Sequence, residues 1–462
     1  MCGIVGVIGA ADAAPRIIEG LKRLEYRGYD SAGLATLVNG GFDLRRAAGK
    51  LSGLEELVNH RPVSGALGIG HTRWATHGVP NESNAHPHAT ERVAVVHNGI
   101  IENFRILRDE LAAEGHEFAT DTDTEVVPQL IHFFLKTGLT PAEATARALK
   151  RLEGAFALGI IFAGEHDVLI GARRGAPLAV GHGEGEMFLA SDAMALAPFT
   201  RRVSYLEEGD WVVLKHNGAT VCDAEDRVVE REIKLTEHDG EAVGKENYRH
   251  FMHKEIHEQP AVIGDTLNAY VNPTSGAISL PDLPFALEDV SRVSITACGT
   301  SYYAGLVARY WIESLAGVPV EIDVSSEFRY RMPPIAEGGV ALFISQSGET
   351  ADTLAALHFA KEKGQHIVAV VNVPESTMAR EADIVLPTRA GPEIGVASTK
   401  AFTTQLVTLA CFSLALARAK GALSAAREAE LSHALAEVPA RAADVLAHDE
   451  RIRGLAEALT NA

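Results

Sequence analysis

Short apolar runs alternate with longer amphipathic segments through the first half of the chain. Runs such as IVGVIG, SAGLATLV and VAVVHNGII have the length and β-branched content of strands. Segments such as PRIIEGLKRLEYRG and EVVPQLIHFFLKTG repeat apolar residues at helical spacing. Apolar runs return between residues 155 and 222, so the order is strands, then helices, then strands. This order predicts two sheets with helices packed outside them.

After residue 290 the pattern changes to repeated units of strand, turn and helix. The strands SRVSITACG, VPVEIDVSS, GGVALFISQSGET and HIVAVVNV are apolar, and helical segments such as ADTLAALHFAKEKG lie between them. Such units predict a parallel sheet in a doubly wound α/β fold. Residues 400–420 and 424–459 are predicted to be helices.

A polar segment that contains glycines, residues 236–250, separates the two patterns. We place the domain boundary there, and the helical segment HFMHKEIHEQPAVIGDTLNAYV then leads into the second domain. The length of 462 residues also predicts two or three domains.

Composition and charge argue against several classes of protein. The formal net charge of −19 argues against nucleic acid or an acidic membrane surface as a partner. No apolar run reaches spanning length, and TLACFSLALA at 408–417 is expected to be a buried helix. No signal peptide is visible. The dinucleotide fingerprint GxGxxG is absent, so we predict no nicotinamide cofactor, and no other cofactor is expected.

The four cysteines, at positions 2, 222, 298 and 411, show no CxxC spacing. We therefore expect neither a metal site nor a redox pair. Scattered free cysteines fit a reducing, cytoplasmic location.

A cysteine stands directly after the initiator methionine, in MCGIVGVIGA. We expect Met1 to be removed, because the side chain of Cys2 is small. The mature chain would then begin with a thiol beside its own α-amino group, which titrates near pH ~8 and can accept the thiol proton. N-terminal nucleophiles have this arrangement. The alternative is a buried cysteine that opens the first strand, since free cysteine is usually a core residue.

Three further polar segments of the first domain carry candidate chemistry. We predict HTRWATHG, residues 71–78, to be a loop after the strand ALGIG, and its Arg73 can bind a carboxylate through two parallel hydrogen bonds. In HNG, the Asn98 amide and the Gly99 N–H can face a developing oxyanion. In TDTE, Asp123 can accept hydrogen bonds from a substrate ammonium group, or instead cap the following helix.

Each of these segments also has a structural interpretation, as a helix cap, a turn glycine or a surface ion pair. The histidines of NAHPHA, residues 84–89, are expected to be loop residues rather than metal ligands. Together with Cys2, the segments supply a nucleophile, a base, an oxyanion hole, a carboxylate-binding group and an ammonium acceptor. That set suits attack by a thiolate on the amide of a free amino acid, and glutamine fits it.

Two strand-to-helix turns of the second domain are rich in small hydroxyl residues, CGTS at 298–301 and SQSGET at 345–350. Hydroxyls and free N–H groups at a helix N-terminus suit a phosphate, and no lysine is required. The alternative is that these side chains only cap helices. The candidate phosphosugar ligands, including two residues of GVASTK expected near the sugar, are Thr300, Ser301, Ser345, Gln346, Ser347, Thr350, Val396 and Ser398.

Two sets of motifs resemble known families, and together they cover nearly the whole chain. The first set resembles the class II glutamine amidotransferases, which are N-terminal-nucleophile hydrolases; its motifs are MCGIVG, LEYRGYDSAGLA, HTRWATHG, HPH, VVHNGIIEN and TDTE. The second resembles a SIS (sugar isomerase) phosphosugar-binding domain; its motifs are ACGTSYYAGLVARYW, SSEFRYR, SQSGETADT, NVPES and EIGVASTKAFTTQ. The resemblance implies an α+β αββα sandwich followed by an α/β doubly wound SIS domain with a parallel sheet.

The resemblance also implies a role for each candidate residue of the first domain. Cys2 is the implied nucleophile, and Asn98 and Gly99 form the implied oxyanion hole. Trp74 is the implied gate on the path of ammonia. The residues implied to bind glutamine are Arg73, Thr76, His77 and Asp123.

The order of the two motif sets resembles amidotransferases that aminate D-fructose 6-phosphate. The implied reaction converts D-fructose 6-phosphate and L-glutamine into D-glucosamine 6-phosphate and L-glutamate, at the start of the hexosamine pathway to UDP-N-acetylglucosamine. The resemblance implies a cytoplasmic homodimer with no nucleic-acid or membrane partner.

Four segments are expected: a glutaminase domain over 1–237, a linker and leading helix over 238–284, a SIS domain over 285–424, and the helical start of a second SIS domain over 425–462. Family members continue with that second SIS domain, where the residues for opening and isomerising the sugar ring lie. We therefore predict that these 462 residues retain a glutaminase site and half of a phosphosugar site, and that they have glutaminase activity but not competent synthase activity. We also expect an exposed apolar stripe on the helices after residue 424.

Two alternative functions remain open from the sequence. One is another class II amidotransferase, such as a phosphoribosyl-pyrophosphate amidotransferase or an asparagine synthetase; the presence of SQSGET and the absence of an SGGLDS motif argue against it. The other is a phosphosugar-sensing protein without catalysis, which would leave Cys2 and HTRWATHG without a role.

Overall fold

The computed structural model describes residues 2–25, 28–236, 244–272, 274–331, 333–335 and 339–460. The chain divides into two compact units, Met1–Ala242 and Val243–Ala462, which we call the N-terminal unit and the C-terminal unit. Met1, Tyr26 and Arg27 of the LEYRGYD motif, and residues 237–243 of the expected boundary lie outside the described residues. Removal of Met1 and the four expected segments stay predictions.

The N-terminal unit contains fifteen described strands and five described α-helices. Its strands are β1 Gly3–Ile8, β2 Ser31–Val38, β3 Gly41–Ala48, β4 Leu67–Arg73, β5 His88–Ala89, β6 Val93–Ile101, β7 Gly154–Phe162, β8 Leu169–Arg174, β9 Ala179–His182, β10 Met187–Ala190, β11 Arg202–Tyr205, β12 Trp211–Lys215, β13 Gly218–Cys222, β14 Val228–Val229 and β15 Lys234–Leu235. Its helices are α1 Ala13–Lys22, α2 Leu51–His60, α3 Phe104–Ala113, α4 Val126–Lys136 and α5 Pro141–Leu149.

These strands form two antiparallel sheets. One has the order β15-β11-β9-β10-β1-β4-β2-β3, and the other has the order β14-β13-β12-β8-β7-β6-β5. Apolar residues of β1, β4 and β10 share one core with residues of β6, β7 and β8, so the sheets pack face to face. Helices α1 and α2 cover the first sheet, and α3, α4 and α5 cover the second. The expected αββα sandwich is confirmed.

The C-terminal unit alternates strands and helices. Its elements are α6 Phe251–Tyr270, β16 Val293–Ala297, α7 Gly299–Ala316, β17 Val320–Val324, α8 Ser325–Arg331, β18 Val340–Ser345, α9 Ala351–Glu362, β19 His366–Val371, α10 Thr377–Glu381, β20 Ile384–Pro387, α11 Lys400–Ala419, α12 Ala425–Ala436, α13 Val438–Leu446 and α14 Asp449–Leu459.

The five strands of this unit form a parallel sheet with the order β17-β16-β18-β19-β20. One core buries apolar residues of the sheet against α6, α7 and α11. A second core buries the other face against α8, α9 and α10. Helices on both faces of a parallel sheet confirm the expected doubly wound fold.

Some local expectations were wrong. Residues 71–73 are not in a loop, because β4 runs to Arg73 and pairs with β1 on one side and β2 on the other. VPVEIDVSS does not end as a strand: its Ser325 begins α8. In both places, pairing or packing with residues far away in the chain outweighs the local pattern.

Helix α11 agrees with the helix predicted over residues 400–420. Its most apolar 18 residues have a mean hydropathy of 1.4, so by length and composition it is long enough to cross a membrane. However, 83% of that window is buried inside the structure. The same helix supplies Phe412, Leu414 and Leu416 to the core against the sheet. We therefore interpret α11 as a core helix, as the sequence predicted for residues 408–417.

Candidate active site

Cys2 lies at the end of the central strands of the first sheet. Strand β1 pairs with β4 so that Gly3 is opposite Thr72, and this register places Cys2 beside Arg73 and Trp74. The backbone N–H of Trp74 donates a hydrogen bond of 3.2 Å to the Cys2 Sγ. Cys2 is partly exposed, whereas Cys222 and Cys411 are buried. Cys2 is therefore not a fully buried core residue, although its thiol is desolvated by the surrounding protein.

The surroundings of the Cys2 sulfur have opposing effects on its ionisation. Burial raises the pKa of the Cys2 thiol, while the N–H of Trp74 and the positive charge of Arg73 act to lower this pKa. Burial is the largest of these effects, so the thiol is protonated at neutral pH. Nucleophilic attack by this sulfur therefore requires a base that removes its proton.

Asn98 reaches the same place from the second sheet. It lies on β6, and its Nδ2 donates a hydrogen bond of 3.2 Å to the carbonyl oxygen of Cys2. The next residue, Gly99, has a φ of +130°. A Cβ atom at this position would lie 2.0 Å from the carbonyl oxygen of Ala155, so only glycine fits. The sandwich thus brings an amide donor and a close backbone segment to the cysteine.

Arg73 is buried at the end of β4 and is only partly satisfied by the protein. Its Nη2 donates to the carbonyl oxygens of His77 and Gly78. Its Nη1 has no hydrogen-bond partner in the described part of the chain. A buried guanidinium donor that stays unpaired is costly unless a ligand accepts from it, so this nitrogen suits a carboxylate.

Asp123 is buried and lies close to His77. One carboxylate oxygen accepts a 2.8 Å hydrogen bond from the backbone N–H of Ile101, and the other lies 3.9 Å from His77 Nδ1. Asp123 does not cap the following helix, because α4 begins after Glu125 and has no side-chain cap. Thr76 is exposed, with its Oγ1 3.4 Å from His77 Nδ1. The Trp74 side chain is 50% exposed.

Four buried histidines lie behind these residues and were not among the predicted site residues. They are His71, His86, His88 and His97. The ring centroids of His71 and His86 are 4.2 Å apart, and those of His86 and His88 are 4.6 Å apart. Burial lowers the pKa of all four imidazoles, and it lowers that of His71 to about 3. The cluster is therefore neutral at physiological pH.

His71 connects this cluster to the amide of Asn98. Its Nε2 lies 2.9 Å from Asn98 Oδ1, so the neutral ring donates its N–H there and leaves Asn98 Nδ2 directed at Cys2. The spacing of His71 and Arg73, two apart on β4, puts both on one face of the strand and was an available signal. Asp30 was also missed; its Oδ2 accepts a 2.6 Å hydrogen bond from the N–H of Ala75.

In the C-terminal unit, the two hydroxyl-rich turns follow neighbouring strands. Strands β16 and β18 pair in parallel, so the turns after them lie at the same edge of the sheet. Helix α7 begins after Cys298 and α9 begins after Thr350, and neither N-terminus has a side-chain cap. The interpretation of these serines and threonines as helix caps was therefore wrong.

The turn between β18 and α9 is shaped by its own hydroxyls. Ser345 Oγ accepts a 3.0 Å hydrogen bond from the N–H of Gly348 and lies 3.3 Å from Thr350 Oγ1. Ser347 Oγ accepts from the N–H of Glu349 at 3.2 Å. Gly348 has a φ of +63°, and a Cβ atom there would lie 2.0 Å from Ser376 Oγ. This turn therefore requires glycine at position 348.

The remaining sugar-site candidates lie around this edge with different exposure. Ser301 is buried, and its Oγ accepts a 3.0 Å hydrogen bond from Gln405 Nε2 of α11. Thr300 is exposed, and Gln346 is partly buried, with its backbone oxygen accepting from Asn372.

Val396 and Ser398 lie in the segment before α11. The side chain of Val396 is exposed, and Ser398 Oγ donates to Glu393 at 3.2 Å. Buried Glu393, which we had not predicted, also accepts from the backbone of Thr399 and Ala401. Burial raises the pKa of the Glu393 carboxyl. Within the described residues, no hydrogen bond joins Val396 or Ser398 to the two turns.

Comparison with known proteins assigns both units to families. A glutamine amidotransferase domain model matches residues 71–198, and a SIS domain model matches residues 286–415. A relative from Zymomonas mobilis, named glutamine–fructose-6-phosphate aminotransferase [isomerizing], is 57% identical over all of this chain and 76% of its own length. A relative of the same name from Bradyrhizobium diazoefficiens is 58% identical over 99% of this chain and 75% of its own length.

The chain belongs to the glutamine–fructose-6-phosphate aminotransferase family. The alternatives of a different amidotransferase family and of a phosphosugar sensor are therefore excluded at the level of family. Among solved structures, the C-terminal domain of the Francisella tularensis glucosamine-fructose-6-phosphate aminotransferase is 43% identical. The match covers 47% of this chain and 61% of the solved chain, with a TM-score of 0.45.

Proposed function

We propose that the chain acts in the reaction of its family, in which L-glutamine donates its amide nitrogen to D-fructose 6-phosphate. The N-terminal unit hydrolyses glutamine to glutamate and ammonia at Cys2. The C-terminal unit supplies half of the site for the phosphosugar that becomes D-glucosamine 6-phosphate in the reaction of the family. The observation that carries this proposal is the convergence of the partly exposed Cys2 with Asn98 Nδ2 and the unpaired Nη1 of Arg73.

In the proposed glutaminase step, the sulfur of Cys2 bonds to the side-chain amide carbon of glutamine. Because burial keeps this thiol protonated, a base must take the proton. The α-amino group of a mature N-terminal Cys2 is the proposed base. The proton then passes to the leaving nitrogen, the carbon–nitrogen bond breaks, and ammonia departs. Water hydrolyses the resulting thioester and frees glutamate and the thiol.

The charge that develops on the amide oxygen requires donors close to the sulfur. The Asn98 amide and the Gly99 N–H are the proposed donors, and donors of this kind contribute about 10²–10³-fold to kcat. Both are held rigidly, Asn98 by His71 and Gly99 by the β6–β7 ladder.

Glutamine also presents an α-carboxylate and an α-ammonium group. Arg73 Nη1 is the proposed carboxylate donor, and Asp123, buried and fixed by the N–H of Ile101, is the proposed ammonium acceptor. Thr76 and His77 complete the proposed binding set. The half-exposed Trp74, adjacent to the sulfur, is the proposed gate for ammonia.

The proposed phosphosugar site is the edge where the turns after β16 and β18 meet. Two uncapped helix N-termini, α7 and α9, present free N–H groups there. Such groups, with nearby hydroxyls, bind phosphate without lysine, which fits a chain of net charge −19. The proposed ligands are Thr300, Ser301, Ser345, Gln346, Ser347 and Thr350, with Val396 and Ser398 at the sugar.

The glutaminase proposal is tested with an electrophilic glutamine analogue followed by peptide mass spectrometry. We expect labelling of Cys2 at the mature N-terminus, together with loss of glutamate release, and protection by L-glutamine. Cys298→Ala is the matched control, since Cys298 is the other partly exposed thiol and should not change either readout. Normal glutamate release by Cys2→Ala would contradict the proposal.

The sugar-site proposal is tested by titrating D-fructose 6-phosphate into the chain and into Ser345→Ala and Ser347→Ala. Both variants should bind more weakly, and D-fructose without phosphate should not bind. Equal affinity for the two sugars would contradict a phosphate site. The proposal also includes a cytoplasmic location and a homodimer, and light scattering of the purified chain tests the dimer.

A further inference from the structure

Two histidines and an aspartate converge on the surface of the C-terminal unit, on elements that the proposed function does not use. His253 and His257 lie one turn apart on α6, and Asp449 is the first residue of α14. One ligand atom from each lies within 4.8 Å of the other two. His253 Nε2 is 3.7 Å from Asp449 Oδ2, and the two histidine rings have centroids 4.7 Å apart.

The hydrogen bonding of His257 leaves one ring nitrogen free to coordinate. Its Nδ1 lies 2.9 Å from the backbone carbonyl oxygen of His253. A carbonyl only accepts, so Nδ1 carries the proton and Nε2 of the neutral ring carries a lone pair. Metal-binding histidines characteristically donate their other ring N–H to a carbonyl or carboxylate in this way, which fixes tautomer and orientation.

We propose that His253, His257 and Asp449 bind a divalent transition-metal ion, for which zinc is the best match. Two imidazoles and a carboxylate suit zinc, whereas calcium and magnesium prefer oxygen ligands alone. Bonds of about 2.0–2.1 Å hold the ligands of a tetrahedral zinc ion about 3.3 Å apart. The observed spacing reaches this geometry by small side-chain rotations, and water completes the coordination. The sequence did not suggest this site, because Asp449 lies almost 200 residues after the two histidines.

A metal here fixes α14 onto α6. The rest of α14 is exposed, including its apolar residues Ile452, Leu455 and Leu459. An ion pair between His253 and Asp449 would use one imidazole only and would be weak at this exposure. A metal uses both imidazoles, so it explains why His257 shares the cluster. The site is thus a structural clamp rather than a catalytic centre.

The test is calorimetric titration of Zn²⁺ into the untagged chain and into His253→Ala, His257→Ala and Asp449→Asn. We expect one tight site per chain, which each substitution weakens by at least about 10–100-fold, the range seen when even an outer-shell partner of a metal ligand is lost. Zn²⁺ should also slow amide hydrogen exchange in α14 of the unsubstituted chain only. Circular dichroism confirms that the variants, all altered at partly exposed positions, remain folded.

The control is His216→Ala in the N-terminal unit. His216 Nδ1 lies 2.9 Å from Asp167 Oδ1, and the pair is exposed. This variant should bind zinc as the original chain does. Cys2→Ala should also keep the tight site, so failure of the proposed glutaminase and failure of the metal site are distinguishable. Equal zinc affinity in the chain and all three ligand variants, or no tight site in any of them, would overturn the proposal.

Discussion

His71→Ala removes the imidazole that holds the side-chain amide of Asn98. His71 is fully buried, and its Nε2–H donates to Asn98 Oδ1 over 2.9 Å. With a pKa of about 3, this ring is neutral across the working pH range, so its role is to donate a hydrogen bond rather than to carry charge. Without it, only the hydrogen bond from Nδ2 to the carbonyl oxygen of Cys2 still orients the Asn98 amide.

The magnitude follows from what the substitution leaves unpaired. A buried acceptor without a partner costs about 1–3 kcal/mol. If that cost is expressed in the transition state, kcat for glutamine hydrolysis falls about 5–150-fold, since about 1.4 kcal/mol is tenfold. The decrease in kcat should not exceed the loss of about 10²–10³-fold that is expected when the Asn98 donor itself is removed. KM for glutamine should change little, because Arg73 and Asp123 are the proposed binding groups.

The assay is steady-state release of glutamate by the original chain, His71→Ala, Asn98→Ala and the double variant. If His71 acts through Asn98, the double variant should be no slower than Asn98→Ala alone. His71→Gln, which restores an N–H donor, should recover part of the rate. His182→Ala is the control, because His182 lies on β9 and is hydrogen-bonded to Ser204 on β11, away from the site residues. If the decrease in kcat of the double variant equals the product of the two single decreases, His71 does not act through Asn98 and the reasoning is refuted.

Three further predictions test the turn, the histidine cluster and the carboxylate donor. Gly348→Ala should lower Tm and abolish phosphosugar binding, because its Cβ would lie 2.0 Å from Ser376 Oγ. Gly317 has a similar positive φ but open space around it, so Gly317→Ala should lower the free energy of unfolding only by the backbone strain of about 1–3 kcal/mol. His71 has a pKa of about 3 in the folded protein, whereas a histidine in the unfolded chain binds a proton below about pH 6.5. The free energy of unfolding should therefore fall by about 2 kcal/mol between pH 7 and pH 5 because of this residue. Urea unfolding measures this loss, which a flat pH profile would contradict. Arg73→Lys, which loses the paired donors, should raise KM for glutamine about 10-fold or more, and an unchanged KM would exclude the proposed contact.

Much of the secondary structure could be predicted from the local pattern of apolar and polar residues. The alternation and β-branching of residues 93–101 predicted β6, and the helical spacing of residues 351–362 predicted α9. Strand β3 was not predicted, because its apolar residues are few and partly exposed. Helix α2 was also missed, although Leu51, Leu54 and Val58 are buried and recur at helical spacing. The end of β4 was placed too early, since its last residues are held by two neighbouring strands rather than by their own propensity.

The candidate site divides in the same way. Cys2, Arg73 and Asp123 are visible in the sequence because each carries a reactive or charged group in an unusual local setting. His71 carries only a weaker signal, its position two residues before Arg73 on the same face of β4. Its importance comes from burial, which keeps it neutral, and from the one hydrogen bond that it makes to Asn98.

Residue chemistry and short-range periodicity therefore decided which groups are available: a thiol at the start of the chain, a guanidinium, an amide and two hydroxyl-rich turns. Only the packed sheets decided which of these groups meet. Cys2 precedes a strand of one sheet and Asn98 lies on a strand of the other, and they are in contact because the two sheets bury a common core. That core is built from contacts between residues far apart in the chain, and local pattern carries no information about such contacts.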